Sequence, residues 1–121
     1  MPDINKMIRD QAAHDPEVMD HLRDIDSWTR NQAVETAAAQ GIAMTDEHWE
    51  VVDFLRHHYA RNGRAPSGRE LSDALAEHFA ERGGRKYLYR LFPEGPVSQG
   101  SRVAGVPLPR YAEDASFGYS Q

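Results

Sequence analysis

The sequence predicts a mainly α domain of about five helices, packed as an orthogonal bundle around a helix-turn-helix-like centre. Three observations carry that expectation. The 121-residue length suits one domain with one core of its own. Apolar residues recur on the helical period through the middle of the chain. Capping residues, glycines and prolines punctuate it at the intervals that start and stop short helices.

Residues 1–23 read as a variable N-terminal segment, 24–105 as the helical body and 106–121 as a C-terminal arm. In the first segment Ile4, Met7 and Ile8 can line one side of a helical turn or two. Asp15-Pro16 reads as an N-cap followed by proline at the first helical position, where its missing N–H costs nothing. Asp26 or Ser27 is expected to cap a helix carrying Trp28, Val34, Ala37 and Ala38, ended by Gly41. Thr45 caps the next, with Asp46 and Glu47 at the positive end of its dipole. There Trp49, Val52, Leu55 and Tyr59 form a buried stripe that Val51 and Phe54 widen.

Asn62-Gly63 stops that helix, and "SGRE" (Ser67 to Glu70) is a capping box opening the following one. Leu71, Leu75 and Phe79 face inward from it, and Gly83-Gly84 closes it. "RKYLYRLFP" makes a short helix stopped before Pro93. "GPVSQGSRVAG" makes the last, with Pro96 near its start and Gly105 at its end.

Composition excludes several function classes. The chain has no cysteine, so a disulfide framework, a thiolate zinc site and thiol chemistry are all absent. No window approaches a membrane span and the N-terminus lacks a signal peptide's apolar core, so a cytoplasmic location and no membrane partner are expected. The net charge of -5 argues against general phosphate-backbone binding. Charge is uneven: residues 1–60 hold five Lys and Arg against twelve Asp and Glu, residues 61–121 nine against seven. Arg82, Arg85, Lys86, Arg90, Arg102 and Arg110 gather in the second half, a pattern that suggests a docking face, although a solvated surface is its commoner meaning.

The motifs that could carry chemistry are few. His57 and His58 are adjacent, so they point about 100° apart on a helix and cannot chelate together. With His48 and His78 they read as ordinary surface or boundary histidines, and neither metal nor cofactor is expected. Ser101 lacks the strand–turn–helix context of a nucleophile and a nearby histidine, and reads as a polar helix residue. "YARNGRAPSGRELSDALAEHF" has the shape of a helix-turn-helix, but its second helix sets Glu70, Asp73 and Glu77 against the single Arg69, which phosphate would repel. Arg61, Arg64 and Arg69 could grip a DNA backbone at the turn. The tryptophans, Phe54, Tyr59 and Phe79 read as core. Of Tyr87 and Tyr89, one is expected buried and one open to a partner.

"DIDSW", "GIAMTDEHWEVVDFLRHHYARNGRAPSGRELSDAL", "KYLYRLFPEGP" and "RVAGVPLP" together resemble the DsrC/TusE family, which includes the gamma subunit of dissimilatory sulfite reductase. The likeness runs from about Asp24 to Pro109. T-x-x-H-W opening a helix, K-Y-L-Y-x-L-F-P and A-G-x-P-x-P are distinctive in combination. The resemblance implies helices around a helix-turn-helix-like centre, a small N-terminal antiparallel β element that would make the class α+β, and a mobile C-terminal arm. It also implies sulfur relay, in which a cysteine near the end of the arm carries a persulfide between partner proteins. Carried over in register, the carrier position falls on Ala112 and a second family cysteine on Ser101. Neither can hold a persulfide. The chain runs on past that point with "EDASFGYSQ", and "PEVMDHLRD" stands where family members show a Gly-aromatic turn.

The resulting expectation is a non-catalytic, cysteine-free relative: a binding or regulatory component connected with sulfur relay. Its partners would be proteins of a sulfur-relay or sulfite-reductase-like system. Lys86, Arg90, Arg102 and Arg110 would be the docking contacts, and Tyr111 an anchor on the arm. The alternatives are a DNA-binding regulator of helix-turn-helix type, and a structural subunit of a sulfur-transfer complex whose thiol another chain supplies.

Overall fold

The computed structural model describes residues 16–110. Six α-helices follow in order: α1 (Pro16–Asp24), α2 (Arg30–Ala39), α3 (Asp46–Asn62), α4 (Gly68–His78), α5 (Arg85–Leu91) and α6 (Pro96–Ala104). A single 3-10 turn, Ala80–Arg82, joins α4 to α5. The mainly α expectation holds with one helix more than the five foreseen. No strand occurs among the described residues, and "PEVMDHLRD", where the family likeness implied a β element, is helix α1 with Pro16 as its first residue. Ile4, Met7, Ile8 and Asp15 lie outside the described residues.

The second helix starts later than expected. Its cap is Thr29, not Asp26 or Ser27: Thr29 Oγ1 accepts from the Gln32 N–H at 3.1 Å while Gln32 Oε1 accepts from the Thr29 N–H at 3.0 Å. That reciprocal pair satisfies two backbone donors at once. Trp28 therefore precedes the helix. Its indole Nε1 donates to the Val103 carbonyl at 2.9 Å, which draws the ring across to α6. On α2 itself only the small residues Ala33 and Ala37 are buried, and Val34 faces solvent.

The middle helix is capped as expected at Thr45, with an unforeseen partner. His48 fills the third position of a capping box, its Nδ1 accepting from the Thr45 N–H at 3.1 Å. Nε2 therefore carries the ring hydrogen, and it donates to the Leu91 carbonyl at 2.9 Å. One buried imidazole thus joins the start of α3 to the end of α5. At the start of α4, Ser67 Oγ accepts from the Glu70 N–H, one half of the expected box.

The core lies on both sides of α3. Val51, Val52, Leu55, Tyr59 and Ala60 are buried along it, packing against α1 on one side and α6 on the other. Helix α2 also rests on α6, and α4 packs on both α5 and α6. Leu71, Leu75, Phe79, Leu88, Leu91 and Phe92 complete the cluster. No described helix is long and apolar enough to cross a membrane.

Candidate partner-docking surface

Helix α5 is short, and its two faces differ sharply. Tyr87, Leu88 and Leu91 are buried, whereas Lys86, Tyr89 and Arg90 are exposed. The exposed trio falls at i, i+3 and i+4, so the three side chains share one face. Tyr89 keeps 50% of its surface in solvent, one of two large exposed hydrophobic residues among those described. Tyrosine and arginine, two of the three, are residue types that protein interfaces favour. The expected split between a buried and an open tyrosine is what the helix displays.

Neighbouring cations are engaged within the chain. Arg85 pairs with Asp73 of α4, and Arg82 pairs with Glu50 of α3. The hydrogen bond that Arg82 donates to the Glu50 carboxylate, with one to the Tyr87 hydroxyl adding to it, pushes the Arg82 guanidinium above its ordinary range. The first pair links α5 to α4 and the second links the 3-10 turn to α3, and both are exposed, so each contributes little to stability. They leave Lys86 and Arg90 as the outward cations of α5.

The other expected docking residues sit elsewhere. Arg102 is exposed on α6 and lines a shallow depression of about 360 Å³ with Trp28, Gln32, Glu35 and Gly105. Arg110 is tied to the corner between α3 and α4, where its N–H donates to the Ala65 carbonyl at 2.9 Å. Beside it, Arg64 Nε donates to the Leu108 carbonyl at 2.6 Å and Pro109 is fully buried. Residues 106–110, read from sequence as the start of an arm, are thus clasped to the body. Tyr111 and Ala112 lie outside the described residues.

Ser101 is sealed in the core, with no exposed surface and no hydrogen-bond partner for its Oγ among the described residues. It cannot meet a partner in this state. The outer face of α4 exposes Arg69, Glu70, Asp73 and Glu77, so the carboxylates opposing DNA phosphate are where the sequence placed them. No described group of histidine and acidic residues forms a metal cage.

Sequence reasoning missed the clasp on Arg64, because a lone arginine after Gly63 carries no pattern. It also missed the cleft lined by Asp53, Phe54, His57 and His58. The signal there was present: a second polar and aromatic face on α3 opposite the apolar one.

Comparison with known proteins places this geometry. The family model described as "DsrC like protein" matches residues 9–112. The chain is 43% identical over 90 residues to the sulfurtransferase TusE of Salmonella typhimurium, covering 74% of this chain and 83% of the relative. It is 42% identical, with the same coverage, to the sulfurtransferase TusE of Escherichia coli K12. The solution structure of Allochromatium vinosum DsrC superposes with a TM-score of 0.61 at 38% identity, over 70% of this chain and 77% of that one. The oxidised gamma subunit of dissimilatory sulfite reductase from Archaeoglobus fulgidus gives 0.56 at 29% identity, over 71% and 80%.

Proposed function

The chain belongs to the DsrC-like family, and we propose that within it the protein is a non-catalytic binding or regulatory component of sulfur relay. One observation carries this reading. The family scaffold is kept while the chain contains no cysteine at all. A persulfide needs a thiol sulfur to bear the second sulfur atom, and a serine hydroxyl or an alanine methyl cannot replace it. Ser101, at one of the two positions in register with family cysteines, is moreover buried beyond reach.

What remains is recognition. The face of Lys86, Tyr89 and Arg90 offers a partner an aromatic anchor flanked by positive charge, and Arg102 and Arg110 offer further cations. A protein of this kind would occupy partners that otherwise receive a cysteine-bearing relative. The DNA-binding alternative draws less support, because Glu70, Asp73 and Glu77 face outward from α4.

Pull-down against proteins of a sulfur-relay system tests the reading. Wild-type protein is compared with Lys86→Glu/Arg90→Glu and with Arg102→Glu/Arg110→Glu. Charge reversal is expected to lower capture about tenfold or more. Unchanged capture by both variants overturns the docking face. A sulfide or persulfide adduct on the isolated chain overturns the non-catalytic assignment.

A further inference from the structure

The chain carries a net charge of -5, yet the corner between α3 and α4 gathers positive charge. Arg61 stands in the last turn of α3, Arg64 in the turn that follows, Arg69 in the first turn of α4, and Arg110 beside Ala65. All four are exposed, and all are arginine rather than lysine. Arginines elsewhere are engaged: Arg23, Arg82 and Arg85 are in ion pairs with Asp20, Glu50 and Asp73. Among the described residues none of the corner arginines is in an ion pair.

Arg64 is held ready. Its Nε donates to the Leu108 carbonyl at 2.6 Å, which fixes the direction of the side chain. Its two terminal nitrogens have no hydrogen-bond partner among the described residues, and they form an edge that a carboxylate can grip with two parallel hydrogen bonds. The Arg110 N–H, on the Ala65 carbonyl at 2.9 Å, keeps a second arginine at the same place. Groups fixed before binding lose little freedom when a partner arrives.

We propose that this corner docks an acidic segment of a partner protein, a short run of Asp and Glu with one carboxylate forked onto Arg64 and its neighbours set against Arg61, Arg69 and Arg110. The surface is distinct from the exposed face of α5. Its partner is set by charge, so it stands whether or not the α5 face meets proteins of sulfur relay. Nucleic acid suits the same arginines less well. A duplex that lies across the corner also meets the outer face of α4, where Glu70, Asp73 and Glu77 repel its phosphates. A short peptide stays within the corner.

The test is a titration of the full-length chain with a synthetic hexaglutamate peptide at about 50 mM salt, followed by amide chemical shifts. Hexaglutamine, inorganic phosphate and a short DNA duplex serve as comparisons. Hexaglutamate is expected to move the amides of residues 61–69 and 108–110, with the effect fading as salt is raised to about 1 M. Hexaglutamine is expected to move none of them. Arg69→Gln/Arg110→Gln should weaken the peptide about tenfold, and it leaves both clasping hydrogen bonds in place because neither side chain donates them. Arg64→Gln should weaken it at least as much, through loss of the fork. Lys86→Gln/Arg90→Gln should bind the peptide as wild type does. No shift at millimolar hexaglutamate overturns the proposal, as does an equal response to inorganic phosphate, which would mean a lone anion contact. Tighter binding of the duplex assigns the corner to nucleic acid and overturns it, and so do shifts centred on residues 86–90. Wild-type protein alone decides these outcomes, so misfolding of a variant cannot shelter the idea.

Discussion

The Arg56 guanidinium lies 3.9 Å over the Trp28 ring, and both side chains are buried. Arg56 Nη1 donates to the Ala104 carbonyl at 2.6 Å and Nη2 to the Ile25 carbonyl at 3.2 Å. A charged residue on the apolar face of α3 therefore joins the loop after α1, the tryptophan before α2 and the last turn of α6. Burial pushes Arg56 down to about 10, with the charge of Asp53 opposing that shift. The group stays cationic at neutral pH, where carbonyl dipoles and a ring face stand in for the water it has lost.

Arg56→Ala is expected to cost about 3 kcal/mol, because it leaves two carbonyls without donors and a cavity under Trp28. Arg56→Lys should recover only part of this, as a single ammonium cannot bridge both carbonyls while covering the ring. Urea unfolding measures both. A loss below about 1 kcal/mol for the alanine variant would show that the site relaxes around the gap.

Gly105 ends α6 in the left-handed region, at φ +68°, with its Cα against Trp28. A Cβ there would fall 2.8 Å from Trp28 Cγ and closer still to Cδ1. Gly105→Ala combines backbone strain with displacement of the indole, and about 2 kcal/mol or more of destabilisation is expected. Thermal unfolding gives the magnitude, and near-ultraviolet circular dichroism should show the tryptophan moved. An unchanged tryptophan signal would contradict the close approach.

Ser101 carries a buried hydroxyl whose oxygen finds no partner among the described residues. Ser101→Ala removes that uncompensated group at the cost of one small atom. The variant is expected to be as stable as wild type or more stable, by about 1 kcal/mol. Clear destabilisation in denaturant would mean that an ordered water satisfies the hydroxyl.

His57 and His58 are pushed below their ordinary value of 6.5 by burial, His57 also by the charge of Arg61. The folded chain therefore binds these protons less readily than the unfolded chain does. Their contribution to stability is complete above about pH 6.5 and is lost as pH falls through the lowered folded values. Asp53, raised in the folded state, acts in the opposite sense in the carboxylate range. Denaturation midpoints should fall between pH 7.5 and 5.5, and a His57→Gln/His58→Gln variant should flatten that slope. An equal slope in the variant would assign the effect to other groups.

Much of this fold was legible in the chain. Thr45 and Ser67 cap the helices they were expected to cap, Pro96 and Gly105 bracket α6, and Tyr87 and Tyr89 divide between core and solvent. The error at α2 came from reading Asp26 or Ser27 as the cap by propensity alone, without considering Thr29. Only Thr29 has a glutamine three residues on that can answer it. The place of Trp28 was beyond local reading, because its hydrogen bond reaches a carbonyl 75 residues away. The docking candidates were legible as charges but not as a surface. Helical spacing unites Lys86, Tyr89 and Arg90, whereas tertiary packing sets Arg102 beside Trp28 and Arg110 beside Ala65.

The clasp at the corner between α3 and α4 also acts mechanically. With the Arg110 N–H on the Ala65 carbonyl and the Arg64 Nε on the Leu108 carbonyl, the corner cannot shift without carrying residues 108–110 along. Two stretches more than forty residues apart in sequence therefore move as one piece, and a substitution at Arg64 should loosen both together.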